Sequence, residues 1–420
     1  MKLSMSPSLL GGQISAIASK SVAHRLLICA AFADDDTLIR CEEINEDILA
    51  TVGCLSSLGA KILREESYFR VTPIRTLQKN AFLDCGESGS TLRFLLPLTS
   101  MLGADASFLM AGRLPMRPLS PLREELERGG IVFSEIGSNP LVTRGTLHTN
   151  QFTISGGVSS QFISGLLFAL AISGKGGTIR IEGKLESSAY LDLTLDALRQ
   201  FGAEIEDADD RFSVAPSEGL SSPKQALVEG DWSNAAFPLC MGAIGKRAVT
   251  VTGLLSSSKQ GDRAIAELLA RFGAKVTLSE SACTVSPDVL RGIEIDASQI
   301  PDLVPVLAVV ASVAKGRTVI YGASRLRLKE SDRLKTTAAL LLSLGATIEE
   351  REDSLIIDGV PTLRGGSVSS FGDHRIAMSA AVASLACDAP ILLDGAEAVG
   401  KSYPEFWRDM RALGLNDCER

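Results

Sequence analysis

A chain of 420 residues is too long for one ordinary core, so two or more domains are expected. Its 45% hydrophobic and 22% charged content is that of a soluble globular protein, and a formal net charge of −8 argues against a general nucleic-acid or membrane-surface binder. With 5% aromatic residues there is little material for base-stacking platforms.

Eight cysteines are scattered singly, no C-x-x-C pair occurs and there are only three histidines, which leaves a zinc site little to draw on. The simplest reading is reduced thiols in a cytoplasmic protein with no metal. The opening "MKLSMSPSLLGGQ" lacks the apolar core of a secretory signal. The run "LLPLTSMLGADASFLMAG" is broken by Pro97 and Asp105 and cannot span a bilayer.

Taken in chain order, the predicted elements repeat. A polar, small-residue loop leads into an Ala/Leu-rich helix and then a short strand: "SKSVAHRLLICAAFADDDTLIR", "ESGSTLRFLLPLTSMLGADASFLM", "VSSQFISGLLFALAISGKGGTIRIEG", "DWSNAAFPLCMGAIGKRAVTVTG", "QIPDLVPVLAVVASVAKGRTVIYG" and "FGDHRIAMSAAVASLACDAPILLDG". Ser21, Ser90, Ser160, Ser233, Asp302 and Asp373 are the rough equivalents, 69–73 residues apart. Between these phrases, "LGAKI", "GGIVF", "FGAEI", "FGAKV" and "LGATI" end a second helix and open a strand–turn–strand. Their glycines, and Gly414 in a truncated sixth copy, recur every 69–72 residues, where a helix C-terminus tolerates a left-handed glycine. Two markers with one period define six units, each with two helices and about four short strands. The first helix of each unit is apolar nearly all round and should be buried. Six such units suit an α/β (α+β) fold of two similar domains, three units apiece, with buried helices under sheets. "LSSPKQALVEG", Leu220–Gly230, is the natural crossing point.

The helix starts carry unexpected cations. N-terminal N–H groups and a partial positive charge favour anions, and a basic side chain there costs about 0.3–1 kcal/mol when exposed. Yet Lys20 and Arg25 flank the first start, Arg93 follows the second and Arg375 the last. "GRLPMRP" adds Arg113 and Arg117, "VGKSYPEF" adds Lys401, and "RLRLKESDRLK" adds Lys329 and Arg333 around Glu330. Small polyanions bearing phosphate and carboxylate groups would account for this crowd. There is no Walker loop, no dinucleotide fingerprint and no nucleophilic triad, which leaves carboxylates as the proton carriers.

Seven phrases, "SKSVAHR", "SGSTLRF", "MRPLSPL", "VSSQF", "RLKESDRL", "GDHRIAM" and "KSYPEFW", occur in order and in register along the chain, which thereby resembles the 5-enolpyruvylshikimate-3-phosphate synthase family of enolpyruvyl transferases. The resemblance implies two domains, each of three βαβαββ repeats, in an inside-out barrel arrangement with the active site in the cleft between them. It places residues 1–18 with 228–420, and 19–227 as an inserted domain. It further implies joining of phosphoenolpyruvate to the 5-hydroxyl of 3-phosphoshikimate with release of phosphate, without metal or organic cofactor.

By motif, the shikimate phosphate ligand would be held by Lys20, Ser21, Arg25, Ser159, Ser160, Gln161, Ser187, Asp302, Arg325 and Lys329. Phosphoenolpyruvate would be held by Lys20, Gly89, Arg117, Gln161, Arg333, Arg375 and Lys401. Asp302 is expected to act at the hydroxyl and Glu330 at the methylene carbon, with Lys20 and Lys401 assisting. "ESSAY" around Ser187 departs from the family's Ser-Lys-Pro-Tyr, and Glu87 and Arg325 stand where many members carry asparagine. A cytoplasmic monomer with no nucleic-acid or membrane partner is expected. The rival readings are a UDP-N-acetylglucosamine enolpyruvyl transferase, disfavoured because "LMAGRLPMRPLSP" has no cysteine, and an RNA-end-binding or non-catalytic protein of the same architecture.

Overall fold

The computed structural model describes residues 1–419. The chain divides into two compact units, one made of residues 1–17 with everything from Glu229 onward, the other of Ala18–Val228. Each has its own apolar core, and Ala18 and Val228 are both buried in that of the second unit.

The helices of Ala18–Val228 are α1 (Lys20–Ala31), α2 (Glu46–Leu58), α3 (Gly89–Leu102), α4 (Leu122–Arg128), α5 (Ser160–Ile172) and α6 (Ser188–Gln200). Those of the other unit are α7 (Trp232–Ile244), α8 (Ile265–Phe272), α9 (Val304–Val313), α10 (Arg333–Ser343), α11 (His374–Ser384) and α12 (Phe406–Leu413). The odd-numbered helices are the apolar ones: in α5 everything from Phe162 to Ala171 is buried. The even-numbered helices are amphipathic, and α8 and α12 end on Gly273 and Gly414 at φ of 113° and 107°, a region that an L side chain avoids.

Among the described residues, six four-stranded sheets share one wiring, and none closes on itself. In the second repeat, Asn80–Asp84 lies parallel to Asp105–Leu109, which pairs antiparallel with Leu141–Arg144, itself paired with Val132–Phe133. Parallel neighbours need a long crossover, supplied by the apolar helix; the antiparallel pair needs only a turn.

Three strands join sheets far from their place in the chain. Lys2–Ser6 lies antiparallel to both Ile391–Asp394 and Asn416–Glu419, completing the sixth sheet. Gly12–Ser15 runs parallel to Val249–Thr252 and completes the fourth. Gln225–Leu227 pairs with Thr37–Arg40 and completes the first. The stretch 220–230 is therefore more than a crossing: it donates a strand before the chain leaves its unit.

Candidate active site

The caps of the apolar helices fall one or two residues before Ser21, Ser90, Ser160 and Ser233, and on Asp373 itself. Ser19, Ser88, Ser159, Asp231 and Asp373 occupy the N-cap positions of α1, α3, α5, α7 and α11. Ser21, Ser90, Ser160 and Ser233 lie one or two residues later, inside the first turn, so their hydroxyls are not the capping groups. Asp302 sits in the short turn Pro301–Leu303 that leads into α9.

In the unit that ends the chain, the expected residues converge on one arginine. Arg333, the first residue of α10, is 1% exposed. Its Nη1 donates to Asp302 Oδ1 at 2.8 Å, its Nε to Asp373 Oδ2 at 2.8 Å, and its Nη2 lies 2.8 Å from Glu330 Oε2. Around this core, Arg375 Nη2 donates to Asp302 Oδ2 at 3.1 Å, Lys329 Nζ stands 3.5 Å from Asp302 Oδ1, and Lys401 Nζ stands 3.8 Å from Glu330 Oε1. Asp302, Lys329, Glu330, Arg333, Arg375 and Lys401 thus form one cluster. Arg325 is turned to the Ser298 carbonyl, 3.0 Å from its Nη2.

The charge states follow from burial and partners. Burial alone would raise the Asp302 carboxyl, but Arg375, Lys329 and Arg333 outweigh it and hold the group well below the usual carboxylate range. Asp373 is buried too, and Arg333 keeps it ionised. Burial would lower the Arg333 guanidinium, and Asp373, Glu330 and Asp302 together push it up instead. His374, stripped of water, falls to about 3 and is neutral at physiological pH.

In the unit Ala18–Val228, the expected residues meet mostly neutral partners. Arg25, 2% exposed, donates from Nε to Thr194 Oγ1 and from Nη2 to the Tyr190 carbonyl, both at 2.8 Å, and from Nη1 to the Ser21 carbonyl at 2.7 Å. Gln161 on α5 gives Nε2–H to Ser90 Oγ at 2.9 Å and accepts from Arg93 Nη1 at 3.1 Å, tying the starts of α3 and α5 together. A Cβ on Gly89 would stand 2.7 Å from Arg93 Nη1 and 2.8 Å from Arg117 Nη1, so glycine here is what lets two guanidinium groups close over the start of α3. Lys20 Nζ donates to Asp47 Oδ2 at 2.8 Å. Ser187 begins α6 at φ 55°, a left-handed backbone that costs a non-glycine residue on the order of 1–3 kcal/mol.

Asp47 and Asp262 were not expected from sequence, and Arg93 and Asp373, both noted at helix starts, make contacts that the sequence did not show. Asp47 holds Lys20, and Arg93 holds Gln161. Asp373 does more than start α11: it caps the Arg375 N–H at 3.0 Å and binds Arg333 and the Ser331 hydroxyl. Asp262 accepts from Ser233 Oγ at the start of α7. The helix-start pattern pointed to Asp373 as a cap only, and nothing in "KQGDRAI" marked Asp262. A cavity of about 620 Å³ lies at the other, C-terminal ends of α7, α9 and α11, among Ile244, Val313 and Leu385, and none of the clustered residues lines it.

A family model described as EPSP synthase (3-phosphoshikimate 1-carboxyvinyltransferase) matches residues 5–410. Relatives named 3-phosphoshikimate 1-carboxyvinyltransferase include that of Clostridium kluyveri, 42% identical over 414 residues covering 98% of this chain and 97% of the relative. That of Clostridioides difficile is 40% identical over 425 residues, with 98% and 97% covered. Among solved structures, EPSP synthase from Acinetobacter baumannii superposes with a TM-score of 0.82 at 25% identity, covering 99% of both chains. The enolpyruvyl transferase NikO from Streptomyces tendae, at 18% identity and a TM-score of 0.77 over 99% and 98% of the two chains, shares the fold. The fold is that of an enolpyruvyl transferase. The chain belongs to the EPSP synthase family.

Proposed function

We infer that this protein transfers the enolpyruvyl group of phosphoenolpyruvate to the 5-hydroxyl of 3-phosphoshikimate, forming 5-enolpyruvylshikimate 3-phosphate and releasing phosphate. The observation that carries the reading is the cluster in which Asp302 and Glu330 share Arg333 and are flanked by Arg375, Lys329 and Lys401, in a chain of this family.

The chemistry is an addition followed by an elimination. The hydroxyl oxygen bonds to C2 of phosphoenolpyruvate and gives up its proton, while the methylene carbon gains one and becomes a methyl group. The resulting ketal then loses a methyl proton, the C2–O bond to phosphate breaks, and the departing phosphate takes a proton. Two carboxyl groups suit the two proton movements, each worth about 10²–10⁴-fold. Asp302 acts at the hydroxyl and Glu330 at the methylene carbon.

Arg333, Arg375 and Lys401, with Gly89, Arg117 and Gln161, receive phosphoenolpyruvate. Ser21, Arg25, Ser159, Ser160, Gln161, Ser187, Arg325 and Lys329 receive the shikimate phosphate ligand, and Lys20 touches both. The preformed network supports these roles: anionic substrates that recruit Arg375 and Lys329 take them from Asp302, which then becomes a stronger base when one is required. No helix among the described residues is long and apolar enough to cross a membrane. The family's biosynthetic character supports action in the cytoplasm.

A phosphate-release assay decides the matter. Release is expected with phosphoenolpyruvate and 3-phosphoshikimate together, and with neither alone. Release with UDP-N-acetylglucosamine as acceptor instead would overturn the reading.

A further inference from the structure

Four fully buried polar side chains in Ala18–Val228 have no part in the reaction above: His24 on α1, Thr51 on α2, Thr91 on α3 and Ser88, the cap of α3, each 0% exposed. They form a chain of hydrogen bonds. His24 Nδ1 lies 2.7 Å from Thr51 Oγ1, which lies 2.7 Å from Thr91 Oγ1, and Thr91 Oγ1 donates to Ser88 Oγ, also at 2.7 Å. Ser88 Oγ accepts the Thr91 N–H as well, at 3.3 Å. The chain runs one way. A hydroxyl has a single hydrogen, and Thr91 gives its own to Ser88. The bond between Thr51 and Thr91 must then use the Thr51 hydrogen, and the bond between His24 and Thr51 must use one on Nδ1. His24 is accordingly the Nδ1–H tautomer, and Nε2, buried with no partner, is the bare nitrogen. Burial lowers His24 to about 3, which keeps the ring neutral at physiological pH.

We propose that Thr51 is a positioning residue for phosphoenolpyruvate: it is the link through which α1 and α2 hold the start of α3, and with it Gly89. The proposal rests on the assignment of Gly89 and Arg117 to that substrate. Residues four apart share one face of a helix, so Lys20 and His24 on α1 meet Asp47 and Thr51 on α2 as two successive rungs, the first at 2.8 Å and the second at 2.7 Å. Thr51 alone of these four carries a rung onward, to Thr91. Little slack exists where that rung leads, since a Cβ on Gly89 would stand 2.7 Å from Arg93 Nη1 and 2.8 Å from Arg117 Nη1. Mutual satisfaction of buried groups does not by itself call for such a chain, because apolar side chains of the same shape would leave nothing to satisfy. A directional polar chain selects one arrangement of packed helices where apolar contact tolerates several.

Thr51→Val keeps the shape and removes the hydroxyl, whereas Thr51→Ser keeps the hydroxyl. In phosphate-release kinetics, Thr51→Val should raise KM for phosphoenolpyruvate about 3–10-fold, with kcat and KM for 3-phosphoshikimate within about twofold. The second KM stands still because α1 keeps its own anchors, the bond from Lys20 to Asp47 and the three bonds of Arg25. Thr51→Ser should return KM for phosphoenolpyruvate to within about twofold of the unaltered protein. Nitrogen NMR of histidine-labelled protein should find the His24 hydrogen on Nδ1, with that signal displaced in Thr51→Val. An unmoved KM, a rise in both KM values together, a fall in kcat alone, or Thr51→Ser as impaired as Thr51→Val overturns the proposal. Should Thr51→Val fail to fold, Thr91→Val breaks the next link instead, and the same selective rise is expected; its absence overturns the idea equally. If the unaltered protein releases no phosphate, the functional reading fails and takes the assignment of Gly89 with it, whereas a His24 hydrogen found on Nε2 sinks the chain alone.

Discussion

The two units are built from the same three-repeat plan, yet their helix starts are furnished differently. In Ala18–Val228 the arginines rest on neutral groups: Arg25 on a hydroxyl and two carbonyls, Arg93 on the Gln161 amide and the Pro118 carbonyl. In the other unit Arg333 alone meets three carboxylates, and Arg375 and Lys329 meet Asp302. Neutral partners orient a cation without cancelling its charge, which suits gripping an anion. Carboxylates cancel it but can carry protons, which suits chemistry. One fold thus sets arginines against neutral acceptors at the helix starts of one unit and against carboxylates at those of the other.

The strongest way to break this comparison is to remove an acid that carries no proton. Asp373→Ala strips Arg333 of one buried partner and α11 of its cap. Losing one side of a buried ion pair costs about 3–5 kcal/mol. For a unit of this size that lowers its thermal midpoint by roughly 6–20 °C. Both tryptophans, Trp232 and Trp407, lie in this unit, so their fluorescence follows it selectively. A midpoint within 2 °C or so of the unaltered protein would mean that the cluster contributes little to the fold. Next comes Glu330→Gln, which keeps shape and most hydrogen bonding. Calorimetric binding of both substrates should persist while phosphate release falls at least about a hundredfold, or about 2.7 kcal/mol. Near-normal turnover removes Glu330 from the mechanism.

Much of this was legible before any coordinates. The six-fold period came from two independent markers, because helix-ending glycines and polar helix starts answer to local backbone chemistry that leaves a mark in sequence. The clustering of Lys329, Glu330 and Arg333 was legible for the same reason: they are close along the chain. What stayed hidden depends on long-range pairing. No local signal assigns Lys2–Ser6 to the sixth sheet or Gln225–Leu227 to the first, since a short strand takes its partner from the whole fold. Asp47, Asp262 and Asp373 read as ordinary helix-start acids until the side chains they face are seen. The sequence marks each helix start only to within a residue or two, because several small polar residues compete there and backbone geometry chooses among them.

Acid separates the two halves more gently. His24 lies buried in Ala18–Val228, its Nδ1 2.7 Å from Thr51 Oγ1, and desolvation lowers it to about 3. Between its unfolded pKa of about 6.5 and that value, the unfolded chain binds a proton the folded one does not. Stability is therefore lost as pH falls, at up to about 1.4 kcal/mol per pH unit. His374 does the same in the other unit, but Asp262, raised to about 7, opposes it: between its unfolded value near 3.9 and 7 the folded state binds the extra proton and gains stability as pH falls. From pH 6.5 to 4, urea midpoints by tryptophan fluorescence should stay nearly level, while a second transition seen only by far-ultraviolet circular dichroism moves down. Equal slopes for both would erase the distinction. A smaller effect probes the helix starts of Ala18–Val228 directly. Gly89→Ala should force the Arg93 and Arg117 guanidinium groups, 2.7 and 2.8 Å from the new Cβ, to shift, raising KM for phosphoenolpyruvate about tenfold with kcat little changed, the loss of one weak charge-assisted hydrogen bond. A fall in kcat at constant KM would instead show that Gly89 acts on the chemical step rather than on binding.

The smallest effect separates neighbours within "RLRLKESDRLK". Asp332 precedes Arg333 directly, yet its oxygens cap α10 by accepting the Lys335 N–H at 3.2 Å and bind Arg327 Nη1 at 3.0 Å. That ion pair is partly exposed, which limits its worth to a fraction of a kcal/mol, whereas a lost aspartate cap costs about 1 kcal/mol. Asp332→Ala should therefore destabilise by about 1 kcal/mol and Asp332→Asn, which can still cap, by less than half of that. Neither should alter kcat beyond about twofold, because three carboxylates rather than the helix cap fix the position of Arg333. A tenfold loss of turnover in Asp332→Asn would show that the cap and the cluster act as one device, and that the division of labour inside these eleven residues is drawn in the wrong place.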